Sequence, residues 1–416
     1  MDKFAIIGGN RLNGAVDISG AKNAVLPMMA SALLTAGETV INNTPNLKDT
    51  RTFIDLLGIL GVSHRFDNSK LSLNAENITS FEAPYELVKT MRASFYVMGP
   101  LLGRFGEARV SLPGGCAWGP RPVDYHLSGF EKMGAKIELS SGYIHASCDR
   151  LKGADIHFDI PSVGATANIL MAASLAQGVT KISNAAMEPH IVQLCQMLQL
   201  MGSHIEGIGT SDLIIHGVEE LAPIEVSVIP DMIEAGTFLI AGAALGDITL
   251  NNVDPSHLSI VIESLQMAGC QIETTQNSMH IKKCSNIKPL DILTDVHPGF
   301  PTDLQAQWVA LMSIANGSSK VTDNIYHDRF SHVPELNRLG AKISIDKNSA
   351  RIKGVSKLVG AEVMSTDIRA SASLVIASLI AEGKSTISRV YHIDRGYEKI
   401  ERKFKKLGAN INRITD

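Results

Sequence analysis

Six stretches of the chain, residues 24–34, 93–102, 165–176, 235–245, 304–315 and 370–381, contain no charged residue. Each is apolar on nearly every helical face, which is the pattern of a helix buried on all sides. A glycine follows each stretch: Gly37, Gly106, Gly178, Gly246, Gly317 and Gly383. A short strand comes next, as at 39–41 and 180–182, and then an amphipathic helix that stops at a second glycine. That second series is Gly61, Gly134, Gly202, Gly269, Gly340 and Gly408. A hairpin-like pair closes the module, as in 135–139, the turn Ser140-Ser141-Gly142, and 143–146. The second glycines are spaced by 73, 68, 67, 71 and 68 residues. Two markers in step at one period predict six repeats of about 70 residues.

A helix that is apolar all round must lie inside, so the strands and the amphipathic helices lie outside it. The fold class is therefore α/β with helices at the centre and sheets around them, and three modules can enclose one core. Six modules make two domains, placed at 20–229 and at 1–19 with 230–416. The chain crosses near 218–229, where Pro223 interrupts, and again near 19–22. Ligands favour such domain junctions. The sixth module stops soon after the strand 409–414 and lacks its closing strand. Residues 9–17 resemble the missing piece, residues 354–362 of the preceding module, so the N-terminus is expected to return to complete the second domain.

Departures from the repeat mark places under a different demand. From first to second glycine the second module is the longest, at 28 residues against 23 to 25 elsewhere. Its extra length falls in Leu112-Pro113-Gly114-Gly115-Cys116-Ala117-Trp118-Gly119-Pro120-Arg121-Pro122, whose glycines and prolines describe a surface loop. Cys116 at its tip can reach a ligand, and Arg121 beside it favours the thiolate. Cys148, Cys195, Cys270 and Cys284 read as structural filler.

Lys22, Asn23, Arg92 and Arg369 stand at or near the starts of buried helices, where unpaired N–H groups attract phosphate and carboxylate. Arg121, Arg329 and Arg395 occupy matching strand-to-helix loops, and guanidinium groups suit bidentate recognition of the same anions. Equivalent modules would bring these loops to one cleft between the domains. Asp303, in Phe300-Pro301-Thr302-Asp303, opens the fifth buried helix as an N-cap, or accepts a proton from a substrate hydroxyl. Asp231 and Asp367 read as caps or ion-pair partners.

Composition narrows the classes. Lys+Arg total 38 against 42 Asp+Glu, so no basic excess suggests nucleic acid. Five scattered cysteines without a CxxC pair argue against a disulfide framework and a structural zinc site. No apolar run approaches the roughly 18 residues of a membrane span, and the N-terminus carries no secretory h-region. The expectation is a reduced, soluble, cytoplasmic protein. GxxxxGK[ST], GxGxxG after a strand, HExxH and GxSxG are all missing, so neither ATP nor a nicotinamide is suggested, and neither cofactor nor metal is expected.

Six motifs together carry a resemblance over essentially the whole chain. They are Ser19-Gly20-Ala21-Lys22-Asn23-Ala24, residues 112–116 with 119–124, Ser162-Val163-Gly164-Ala165-Thr166, Phe300-Pro301-Thr302-Asp303, Asp328-Arg329-Phe330, and His392-Ile393-Asp394-Arg395-Gly396-Tyr397-Glu398. The chain resembles the UDP-N-acetylglucosamine 1-carboxyvinyltransferase family of the EPSP synthase superfamily. The resemblance implies two inside-out α/β barrel domains, each of three repeats. It implies transfer of the enolpyruvyl group of phosphoenolpyruvate to the 3-hydroxyl of UDP-N-acetylglucosamine, the first committed step of peptidoglycan synthesis. Cys116 would protonate C3 and could carry a pyruvate adduct. Lys22, Asn23, Arg121 and Arg395 would hold phosphoenolpyruvate, and Asp303 would serve the sugar hydroxyl. Asn23, Arg92, Arg121, Pro122, Val123, Asp124, Tyr125, Ser162, Val163, Gly164, Asp303, Ile325 and Arg329 would contact or support the sugar nucleotide. Ile160 and His190 depart from residues that some branches carry, Lys and Glu, and neither touches the reaction centre. The implied partners are the two small substrates, without nucleic acid or membrane insertion, and association of identical copies stays open. The rivals are the sister transferase acting on shikimate 3-phosphate, which is not expected to carry Cys116, and a silent UDP-sugar-binding protein.

Overall fold

The computed structural model describes residues 2–112 and 123–415. The chain divides into two compact units, Met1–Ser19 with Pro230–Asp416, and Gly20–Ile229. Among the described residues there are six four-stranded sheets, three in each unit.

The charge-free stretches are the buried helices. Lys22–Ser31 with the 3-10 turn Ala32–Leu34, Met98–Phe105 and Val163–Ala173 fill the core of the unit Gly20–Ile229. Met232–Leu245, Gln305–Met312 and Ile368–Ile380 fill the other. Every residue from Ile233 to Leu245 is buried. Strands alternate: in Val179–Ser183 only Thr180 and Ile182 face the core. Each second-series glycine takes a positive φ, from 91° at Gly340 to 112° at Gly202, where it ends its amphipathic helix.

Within each sheet the strand after the buried helix sits second. A parallel strand flanks it on one side, and the module's own hairpin lies antiparallel on the other, as in Asp155–His157 beside Val179–Ser183, then Asp212–His216 and His204–Glu206. The N-terminus enters the unit Met1–Ser19 with Pro230–Asp416 in a different place from that expected of residues 9–17. Lys3–Ile7 is the strand missing from the sixth module, lying antiparallel between Lys384–Ser388 and Asn410–Ile414. Leu12–Asp17 instead runs parallel to Gly246–Asn251 of the fourth module. The likeness of 9–17 to 354–362 is one of role: Glu362–Met364 is likewise the parallel strand beside Lys384–Ser388. The strand pairing also explains Gly246, which has an extended φ of 174°. A Cβ there would lie 1.8 Å from the Leu12 carbonyl oxygen.

Candidate active site

In the unit Gly20–Ile229, Lys22 is the first residue of its buried helix. Its Nζ lies 2.8 Å from Asp49 Oδ2, a carboxylate in the first turn of the helix Lys48–Leu60. Gly20 lets the chain enter this helix against the loop at Asn43, since a Cβ there would stand 1.9 Å from the Asn43 carbonyl oxygen. Asn23 beside Lys22 is half-buried. Arg92 opens the 3-10 segment Arg92–Val97, which packs on the helix Lys22–Ser31.

The Arg92 charge acts on His126, in the helix Asp124–Lys132. Burial first, and Arg92 second, push the His126 imidazole down to about 3, so it is neutral at physiological pH. Asn168 fixes the tautomer: its Nδ2 donates to His126 Nδ1 at 2.9 Å and to Phe95 O at 3.1 Å, while its Oδ1 accepts from Gly99 N at 2.9 Å. His126 Nε2 would be 3.0 Å from a Cβ placed on Gly164, so the ring packs against the start of the helix Val163–Ala173. Ser162 caps that helix by accepting from Ala165 N at 3.3 Å, leaving Val163 and Gly164 half-buried. Asp124 is exposed, Val123 is half-buried, and the Tyr125 ring lies 5.6 Å from that of Phe158. Cys116, Arg121 and Pro122 lie outside the described residues.

In the other unit Asp303 does not cap a helix, contrary to the capping expectation. It sits inside the 3-10 turn Thr302–Leu304, whose N-cap is Pro301. Its carboxylate is taken by two guanidinium groups: Arg329 Nη2 lies 2.7 Å from Oδ1, and Arg369 Nη2 lies 2.7 Å from Oδ2. Burial alone would raise the Asp303 carboxyl, but the Arg369 and Arg329 charges and hydrogen bonds outweigh it and hold it well below the usual carboxylate range. Asp231 and Asp367 are caps, accepting from the second and third N–H groups of their helices.

A second buried carboxylate orders this loop. Asp323 Oδ1 accepts from Thr294 Oγ1 at 2.8 Å and from the backbone N–H groups of Ile325 and Tyr326 at 2.9 and 2.8 Å. Thr302 Oγ1 donates to Asp323 Oδ2 at 2.7 Å and accepts from Arg329 Nη1 at 3.0 Å. Behind them Gln307 Nε2 donates to Tyr397 OH and to the Asp303 carbonyl, each at 3.1 Å. Arg395 ends the 3-10 segment Val390–Arg395 and is half-buried. The next residue, Gly396, lies against the start of the helix Ile368–Ile380: a Cβ on it would be 2.6 Å from Ile368 Cγ2.

Residue patterns alone did not single out Asp49, His126, Asn168, Asp323 or Tyr397. Asn168, Gln305 and Gln307 left a signal, each a fully buried amide in a mostly apolar helix, where a polar group calls for a partner; Asn168 and Gln307 have one. Cys195, Cys270 and Cys284 are buried and Cys148 half-buried, all as free thiols. Ile160 is exposed, and His190 follows the first residue of the helix Pro189–Leu200.

Helices enclosed by sheets, three modules to a unit, define the enolpyruvyl transferase fold. Over its whole length the chain superposes on an enolpyruvyl transferase, NikO from Streptomyces tendae, with a TM-score of 0.91 and 24% identity, covering 99% of that chain. An EPSP synthase from Acinetobacter baumannii gives a TM-score of 0.78 at 18% identity, with both chains covered completely. The family model of EPSP synthase (3-phosphoshikimate 1-carboxyvinyltransferase) matches residues 6–404. The chain belongs to this family and, within it, to the UDP-N-acetylglucosamine 1-carboxyvinyltransferases. Curated relatives of that name include one from Chloroherpeton thalassium, 54% identical over 100% of this chain and 98% of its own. Another, from Desulfosudis oleivorans, is 50% identical with both chains covered completely.

Proposed function

We propose that this chain transfers the enolpyruvyl group of phosphoenolpyruvate to the 3-hydroxyl of UDP-N-acetylglucosamine and releases phosphate, the first committed step of peptidoglycan synthesis. The full-length likeness to relatives of that name carries the reading. Among the described residues no helix is long and apolar enough to cross a membrane. We place the reaction in the cytoplasm, where both substrates are metabolites.

The sugar 3-hydroxyl adds to C2 of phosphoenolpyruvate, its proton passing to Asp303 as the C–O bond forms, while C3 takes a proton from the Cys116 thiol, giving a tetrahedral phosphoketal and a thiolate. The thiolate then takes back a C3 proton, the C2–O bond to phosphate breaks, and the departing phosphate carries off the proton held by Asp303, leaving the enol ether. No electrons are exchanged with a third party. Lys22, Asn23, Arg121 and Arg395 hold the phosphate and carboxylate, and positive groups fixed before the reaction stabilise the charge that develops on the leaving phosphate. Asn23, Arg92, Arg121, Pro122, Val123, Asp124, Tyr125, Ser162, Val163, Gly164, Ile325 and Arg329 bind or support the sugar nucleotide. Asp303 stays ionised because two arginines share its carboxylate. It is therefore a weak base, accepting a hydrogen bond from the 3-hydroxyl and taking its proton only as the C2–O bond forms and that oxygen becomes acidic.

The test is phosphate release from phosphoenolpyruvate with UDP-N-acetylglucosamine as acceptor, with shikimate 3-phosphate in a parallel arm. Release only with the sugar nucleotide is expected. Release only with shikimate 3-phosphate, or binding of the sugar nucleotide without turnover, would overturn the reading. Fosfomycin should inactivate the enzyme with a mass gain on Cys116, and Cys116→Ser should lose turnover or product release.

A further inference from the structure

The outer sheet of the third module carries a group that the transfer reaction does not use. His204 and Glu206 lie on the edge strand His204–Glu206, and His216 ends the neighbouring strand Asp212–His216. His204 stands directly opposite His216 in the register, and Glu206 two residues along on the same face, opposite Ile214. Ile205, Leu213 and Ile215 point into the core, so the alternation turns all three ligating side chains outward. The imidazoles stack with centroids 4.6 Å apart, and a single carboxylate oxygen, Glu206 Oε1, lies 3.0 Å from His216 Nε2 and 3.9 Å from His204 Nε2. One ligand atom from each residue lies within 4.8 Å of the others.

We propose that His204, Glu206 and His216 form a binding site for Zn²⁺, with water as a fourth ligand. Zinc bonds of about 2.0–2.2 Å to imidazole and carboxylate put neighbouring ligands of a tetrahedron about 3.3–3.5 Å apart. The two carboxylate-to-imidazole gaps fall on either side of that figure, so small side-chain rotations close the site without moving the strands. A hydrogen bond between Glu206 and His216 needs only one imidazole, and the second ring beside the same oxygen is what two-nitrogen, one-oxygen coordination requires. The metal ties the edge strand to its neighbour across the loop at 207–211 and pins the hairpin. The expectation of no metal rested on short ligand spacings, and this set pairs residues 12 positions apart through strand register. The site is independent of the transfer chemistry.

Calorimetric titration of the full chain with ZnCl₂ tests this, beside His204→Ala, His216→Ala and the double variant. The intact chain should bind one equivalent more than the double variant, with each single substitution weakening that equivalent more than about tenfold. Zinc should raise the melting temperature of the intact chain and not of the double variant. All three positions are at the surface, so melting temperatures without metal and the rate of phosphate release should match the intact chain. Equal stoichiometry and affinity in the intact chain and the double variant, or no uptake by the intact chain at 100 μM zinc (on the order of one hundred times a micromolar Kd), would overturn the proposal.

Discussion

The two units arrange opposite charges in opposite order. In Gly20–Ile229 the cation is the more open partner, Lys22 at 12% exposure over Asp49 at 4%. In Met1–Ser19 with Pro230–Asp416 the anion is the open partner, Asp303 at 24% over Arg329 at 11% and Arg369 at 6%. A buried charge without a counter-ion would neutralise or move into water, so the inner partner in each cluster fixes the position and charge of the outer one. Under the proposed function, one repeated scaffold would thus offer a cation for anions at one helix start and a carboxylate for a hydroxyl at another. Asp303→Ala should break this arrangement most severely, because both arginines lose their shared carboxylate. Removing one side of a buried pair costs about 3–5 kcal/mol, and losing the group proposed to take the hydroxyl proton costs roughly 10²–10⁴ in kcat/KM. Urea unfolding and phosphate release measure the two effects. Wild-type turnover in this variant would remove Asp303 from the reaction.

Lys22 and Asp49 test the other half of the comparison. Lys22→Gln takes the ammonium from a buried carboxylate and Asp49→Asn takes the carboxylate from Lys22, so each should cost about 2 kcal/mol, as losing a hydrogen bond to a charged group does. The double variant should lose less than the sum of the two single changes. Activity separates the roles further: Asp49→Asn should raise KM for phosphoenolpyruvate less than Lys22→Gln does. A strictly additive cycle would mean that the 2.8 Å contact does not hold Lys22.

These pairs mark the limit of what the amino-acid pattern reveals. The six buried helices were legible because a charge-free run admits no other placement, and the glycine period set their order. The start of each helix pointed to Lys22, Arg92 and Arg369 by electrostatics alone. Their partners were not legible. Asp49 looks like any acid in a helix's first turn, and Asp323 like any strand-end acid, until tertiary pairing places them. One signal was available in the repeat itself: His126 and His332 each stand eight residues before the second glycine of their modules, where the other modules have Phe53, Leu194, Val261 and Ile400. A histidine at an otherwise apolar core position needs a polar partner, and in the structure Asn168 meets His126.

Those two histidines extend the comparison to pH. Burial lowers both, His126 to about 3 with the Arg92 charge adding to it, and His332 to about 4, where the Asp367 carboxylate opposes burial and the Arg329 charge adds to it. For His126 the folded value lies below that of the unfolded chain, near 6.5, so the unfolded chain takes up the proton first. Its contribution to stability is whole above pH 6.5 and is lost as pH falls toward 3. Between pH 6.5 and 5 the loss is about 2 kcal/mol for one such histidine. Urea midpoints across that window should fall less in His126→Gln than in wild type, even though the variant is less stable at pH 7. Parallel slopes would show that His126 is protonated in the fold.

The smallest effects come from the two glycines that seat the clusters, and the difference between them is informative. A Cβ at Gly20 meets the backbone oxygen of Asn43 at 1.9 Å, whereas at Gly396 the nearest atom, at 2.6 Å, is the Cγ2 of Ile368. Backbone at a module entry cannot yield without moving Lys22, but a side-chain methyl group can rotate or shift. Gly20→Ala should therefore cost about 1–3 kcal/mol, as overpacking does, and should raise KM for phosphoenolpyruvate through displaced Lys22. Gly396→Ala should cost about 1 kcal/mol, and Ile368→Val in the same chain should recover part of that loss by thinning the side chain it strikes. If Gly396→Ala proved the more damaging of the two, the arginine side of the molecule would be the more tightly built, and the rigid element would be the loop at Arg395 and not the entry to Lys22.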